Sequence, residues 1–163
     1  MPDPTPPSTA GDAVSLTIAA PPAQVYALVT DIAGMGRLSP ECTGGKWLDG
    51  ATGPAVGARF KGTNKRGLAR WSTLNTVVAA EPLALFSFET KQSGTRWTYE
   101  FRPEGDGTLV TESREAFTAR PLVARVYAKV MLGGVSEHEE EMRDGMRRTL
   151  ERLRDVAEQS ATT

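Results

Sequence analysis

Glu112, His138 and Tyr99 are the residues whose types could move a proton, because a carboxylate, an imidazole and a phenol are common general acids and bases. They are the catalytic candidates, although no local spacing announces a dyad. Arg114, two residues beyond Glu112, could anchor an anionic group or pair with Glu112 itself. Asn64, Thr73 and Asn75 add neutral hydrogen-bonding groups. Phe60, Trp71, Phe86, Phe88, Trp97 and Phe101 supply apolar surface in the same part of the chain. Cys42 has no base beside it in sequence, so a nucleophilic thiol would lack an activator. One cysteine and one histidine are too few soft ligands for a zinc site, and no metal or cofactor is expected.

These side chains can act together only if strands carry them to one face. From Cys42 to Phe117, runs of period two are separated by Gly, Pro, Asn and Asp, which predicts strands near 43–49, 57–66, 69–80, 84–91, 95–103 and 108–118. Connections this short imply an antiparallel meander. A tight hairpin placing Pro103 opposite Thr108 sets Phe101, Tyr99 and Trp97 beside Val110, Glu112 and Arg114. Pairing Thr90 with Thr95 sets Phe88 beside Trp97 and Phe86 beside Tyr99. Closure between Arg66 and Ala69 sets Asn64 beside Trp71, Gly62 beside Thr73 and Phe60 beside Asn75. Aromatic and polar groups therefore share a face. Polar groups in a dry core must be paired to offset desolvation, whereas aromatics with a few convergent polar groups compose a small-molecule site. The other arrangement has Glu112 and Arg114 facing solvent, or paired at the open end of the sheet.

The opposite wall is expected at the C-terminus. At 3.6 residues per turn, 136–156 places His138, Met142, Met146, Thr149, Leu150, Leu153 and Val156 on one stripe, with glutamates and arginines around the rest. Ser136 and Glu139 have capping-box spacing at its start. His138, Met142 and Met146 are expected to face a ligand, and the residues after them to close the core. Gly145 costs about 1 kcal/mol of helix propensity relative to Ala, which suits a place where space or close approach is needed. Gly133 and Gly134 would let this helix move. Upstream, Val14, Leu16 and Ile18 alternate as a first strand. A helix over 23–35, a second short one through Met35 to Leu38, and a helical segment over 120–132 complete the elements.

Length suits one domain, expected over 13–158, with 1–12 and 159–163 as disordered tails. A formal charge of −1 provides no global field for nucleic acid or an anionic membrane. No apolar run reaches the roughly 18 residues of a membrane span, and the start lacks the regions of a signal peptide. A cytoplasmic protein without integral membrane association is expected, as monomer or homodimer.

The element order is similar to the helix-grip arrangement of the START-like (SRPBCC) superfamily, in particular its bacterial polyketide cyclase/dehydrase group. PPAQVYALVTDIAGMGRLSPE, VGARFKGTNKRG, RWST, RWTYEF, GTLVTES and GMRRTLERLR resemble segments of actinobacterial SRPBCC proteins. Leu38 stands where an aromatic often precedes the Ser-Pro-Glu string. The resemblance implies an α+β helix-grip fold: an antiparallel sheet of about seven strands around a long C-terminal α-helix, with two short helices after strand one. It also implies a cavity between sheet and helix for a small, mostly hydrophobic, lipid- or polyketide-like molecule, held as carrier or sensor. The alternatives are a cyclase or dehydratase using the same cavity, and a protein-interaction module.

Overall fold

Alternation of apolar and polar residues builds β1 (Asp12–Ile18), and Pro21-Pro22 stops it by removing two N–H donors and fixing φ. The same prolines start α1 (Pro22–Thr30), since a proline in the first turn forfeits no helical hydrogen bond. The structure is a computed structural model that describes residues 12–117 and 135–160, with side chains from Glu140 onward in the second segment. α1 is shorter than the helix expected over 23–35. The Asp31 carboxylate accepts from the Gly34 N–H at 3.2 Å and pairs with Arg37, which closes a turn instead. The second short helix expected through Met35 to Leu38 is a single 3₁₀ turn, Met35–Arg37, capped by Leu38. Gly36 is required there, because a Cβ would lie 2.7 Å from the carbonyl oxygen of Thr43.

The remaining strands are β2 (Cys42–Trp47), β3 (Arg59–Arg66), β4 (Ala69–Glu81), β5 (Leu85–Thr90), β6 (Thr95–Glu104) and β7 (Gly107–Ala116). Among the described residues these strands form one sheet in the order β1-β7-β6-β5-β4-β3-β2, with every neighbouring pair antiparallel. Consecutive β1 and β2 thus occupy opposite edges, and α1 with its 3₁₀ turn carries the chain between them. Bulges between Cys42 and Gly44 and between Val77 and Ala79 shift the register of β2 and β4.

α2 (Val135–Ser160) closes the molecule, packing on β1, α1 and β7. It runs to Ser160, past the expected domain end, while Asp12 at the other end belongs to β1 rather than to a tail. Leu150, Leu153 and Ala157 are fully buried from its side. They meet Ile18, Val25, Val29, Phe86 and Val110 from the other elements. Leu150 and Leu153 lie on the predicted stripe, whereas at its end Ala157 is buried and the expected Val156 is only half-buried. The expected helical segment over 120–132, the Gly133-Gly134 break and the first eleven residues lie outside the described residues.

Candidate functional site

Tyr99 of β6 and Glu112 of β7 are cross-strand partners, as the hairpin register predicts. The Tyr99 hydroxyl donates to Glu112 Oε1 at 2.8 Å, and both residues are buried, at 5% and 3% exposure. Burial pushes the Glu112 carboxyl up to about 8, against the opposing effect of the Tyr99 hydrogen bond. Tyr99 is raised well above the ordinary phenol value, first by burial and then by the neighbouring charge and hydrogen bond of Glu112. Glu112 is therefore a neutral acid at pH 7. Its Oε1 is occupied by an incoming hydroxyl, so its own proton belongs on Oε2. That atom is buried and has no hydrogen-bond partner, and an unspent buried donor needs an explanation.

Arg114 follows Glu112 on the same face but does not pair with it. Its Nη2 donates to Asp12 Oδ2 at 2.8 Å, and the other carboxylate oxygen accepts from Arg143 of α2 at 2.6 Å. The hydrogen bond from Arg114, joined by Arg143 and only partly offset by burial, holds Asp12 below the ordinary carboxylate value. Arg114 Nε is a second buried atom without a partner.

The aromatic wall is continuous. Trp47 meets Phe60 at 5.5 Å, Phe60 meets Phe88 at 5.1 Å, and Phe88 meets Phe86 at 5.6 Å between ring centroids, spacings at which edge and tilted contacts are favourable. Trp97 is half-buried between Phe88 and Arg114 in register. Phe101 lies under α1, edge-on to Tyr26 at 5.4 Å. Met146 is buried on α2 and Met142 half-buried one turn earlier. The side chain of His138 lies outside the described residues.

Asn75 has spent its polar atoms. Its Nδ2 donates to Thr73 Oγ1 on the same strand at 3.1 Å and its Oδ1 accepts from Thr90 at 2.7 Å, so this buried amide braces β4 against β5. Asn64 is half-buried and Trp71 is 40% exposed toward the end of the β3–β4 hairpin. Two residues join the face that pairing arguments overlooked. Trp47 enters through its β2 register with Phe60. Cys42, cross-strand from Asn64, is raised by burial and is among the groups that raise Tyr99. The signal for both was β2, whose bulge hides its register.

Among the described residues no group of three or more His, Cys, Asp and Glu side chains is placed to hold a metal ion, and no helix is long and apolar enough to cross a membrane.

A family model described as polyketide cyclase / dehydrase and lipid transport matches residues 13–158. The chain is 34% identical to a polyketide-cyclase-like protein of Corynebacterium glutamicum solved by NMR, with a TM-score of 0.63 and 93% of each chain covered. A crystal structure from Thermus thermophilus aligns at 19% identity and TM-score 0.67, covering 94% of this chain and 99% of that one. The di-domain ARO/CYC StfQ of the steffimycin biosynthetic pathway aligns at 15% identity and TM-score 0.72, over 94% of this chain and 52% of its own length. These two likenesses concern the fold, which is the helix-grip fold. No curated protein sequence matches the chain.

Proposed function

Because the chain belongs to the polyketide cyclase/dehydrase and lipid transport family, we propose that it holds a small, mostly hydrophobic molecule between the sheet and α2, as a carrier or sensor. The observation that supports this most is the neutral Glu112 acid, fixed by Tyr99 and left with an unspent donor on the face that carries the aromatic wall. Rings and methionines give affinity at about 25 cal/mol per Å² of apolar surface buried. The acid supplies orientation, since its proton can be satisfied by an acceptor oxygen on the ligand. Lipid-like and polyketide-like molecules both combine an apolar body with such oxygens. To test this, the protein is purified from its native host, denatured and examined by mass spectrometry for a released molecule. An apolar compound in stoichiometric amount is expected. Protein that is empty and also fails to bind an apolar fluorescent probe would sink the proposal.

Catalysis in the same cavity is favoured by one specific observation: a carboxyl pushed up to about 8 still holds a transferable proton at neutral pH. In a cyclase or dehydratase Glu112 would donate that proton to a substrate oxygen. Tyr99 would hold the carboxyl in place, and the cavity would fix the chain geometry for ring closure. Glu112→Gln keeps the shape and removes the transferable proton. Turnover of a polyketide substrate surviving that substitution unchanged would exclude the role.

A further inference from the structure

The stretch 50–80 contains Arg59, Lys61, Lys65, Arg66 and Arg70 and no Asp or Glu, in a chain whose formal charge is −1; the rest of the chain therefore carries −6. Near-neutral composition conceals this segregation. In the structure the segment is the loop before β3, β3 and nearly all of β4, beside the edge strand β2, which adds Lys46. Lys46 faces Lys61 and Lys65 faces Arg70 directly across the strands, two like-charge pairs of the kind that weaken a sheet. Arg59 is paired with Asp49, and Arg66 with Glu141 and Glu41. Among the described residues Lys46, Lys61, Lys65 and Arg70 have no acidic partner. A shallow cleft of about 220 Å³ lies between the first two, lined by Gly45, Lys46, Lys61 and Thr63.

The tip also exposes an apolar side chain. Arg66 pairs with Ala69, so Gly67 and Leu68 form a two-residue turn, with Gly67 at φ 59. A turn with positive φ only at its first position needs Gly there and leaves the second open, and here the second position is a leucine that is 101% exposed. Trp71, 40% exposed, stands close behind it on the opposite face from Lys65 and Arg70. Among the described residues none covers this leucine, and the cations Lys65 and Arg70 near it have no acidic partner.

We propose that the β3–β4 hairpin docks the protein on an anionic lipid bilayer, with Leu68 entering the interfacial layer, Trp71 at its boundary and Lys46, Lys61, Lys65 and Arg70 against the headgroups. A bilayer suits the combination: cations supply attraction to anionic lipid, and a projecting leucine with a tryptophan behind it supplies insertion. A nucleic acid would gain from aromatic rings on the basic face, where none stands among the described residues. Arg66 bonds Glu141 of α2 at 2.9 Å, so docking would set the end of α2 near the membrane.

The test is sedimentation of the full chain with vesicles of phosphatidylcholine alone and of phosphatidylcholine containing phosphatidylglycerol. Binding to the anionic vesicles only is expected, reversed as salt shortens the screening length from about 10 Å at 0.1 M to about 3 Å at 1 M. Lys65→Gln and Arg70→Gln should each weaken binding about fivefold. Leu68→Ser should weaken it about tenfold while leaving its salt dependence unchanged. All three positions are exposed, and circular dichroism confirms the fold of each variant. The proposal is overturned by absent binding to anionic vesicles or by binding indifferent to Leu68→Ser. It is equally overturned by full displacement with inorganic phosphate at matched ionic strength, which would mark a free-anion site, or by retention on heparin without vesicle binding.

Discussion

Glu112 keeps its proton in the folded protein up to about 8, whereas an ordinary glutamate gives it up near 4.5. Between those values the folded state binds one more proton than the unfolded chain, so stability falls as pH rises. The contribution is complete below the ordinary carboxylate value and lost as pH passes through about 8. At the limit each pH unit in that window costs about 1.4 kcal/mol. Urea unfolding midpoints at about pH 5 and about pH 8 should therefore decline in the wild type and decline much less in Glu112→Gln, which has no carboxyl to deprotonate. Equal slopes in both proteins would mean that Glu112 titrates normally. Register alone made the Tyr99–Glu112 contact legible in the sequence, because Pro103 opposite Thr108 leaves only one partner for each. The protonation state was not legible, since it depends on how completely distant elements bury the pair.

At the scale of elements, Asp12 joins β1, β7 and α2 through Arg114 and Arg143. No spacing could reveal this, because the partners are separated by 102 and 131 residues and Asp12 borders a proline-rich start. Asp12→Asn should destabilise by about 2 kcal/mol, in the range for hydrogen bonds to charged groups, and raise amide exchange in α2 around Arg143. Its pH dependence runs opposite to that of Glu112. A lowered carboxylate stabilises above the ordinary acid range and loses that contribution as pH falls through its own value. Asn75 shows the same limit on reading one hairpin at a time: its pairing with Phe60 was legible, but Thr90 on the next strand consumes its carbonyl. Gly145 is the converse case. A Cβ there would meet no atom within 4 Å, so close approach does not explain the glycine. Gly145→Ala should stabilise the unliganded protein by about 1 kcal/mol. It should also weaken binding of an apolar probe if that space receives the ligand, which titration of the variant measures directly.

For the whole molecule, the sheet, α1 and α2 enclose both a packed end and a polar end. Leu150, Leu153, Val25 and Val110 fill the first completely, while the second retains two buried polar atoms without partners, on Glu112 and Arg114. A fold that leaves donors unspent is less stable empty than it becomes when an acceptor arrives. A ligand at 100 times its Kd adds about 2.7 kcal/mol to unfolding stability. In a domain of this size that corresponds to a rise in Tm of about 5–10 °C, at about 2–4 °C per kcal/mol. If the bound acceptor takes the Glu112 proton, the rise should shrink once pH exceeds about 8, the value at which the carboxyl ionises. Glu112→Gln should retain its rise there, since an amide donates a hydrogen bond at any pH. Thermal melts with and without a carbonyl-bearing apolar compound, run on both proteins on either side of that pH, measure this. A wild-type rise that persists undiminished into alkaline solution would place the ligand's polar end away from Glu112, leaving Arg114 Nε as the other unsatisfied buried donor among the described residues to receive it.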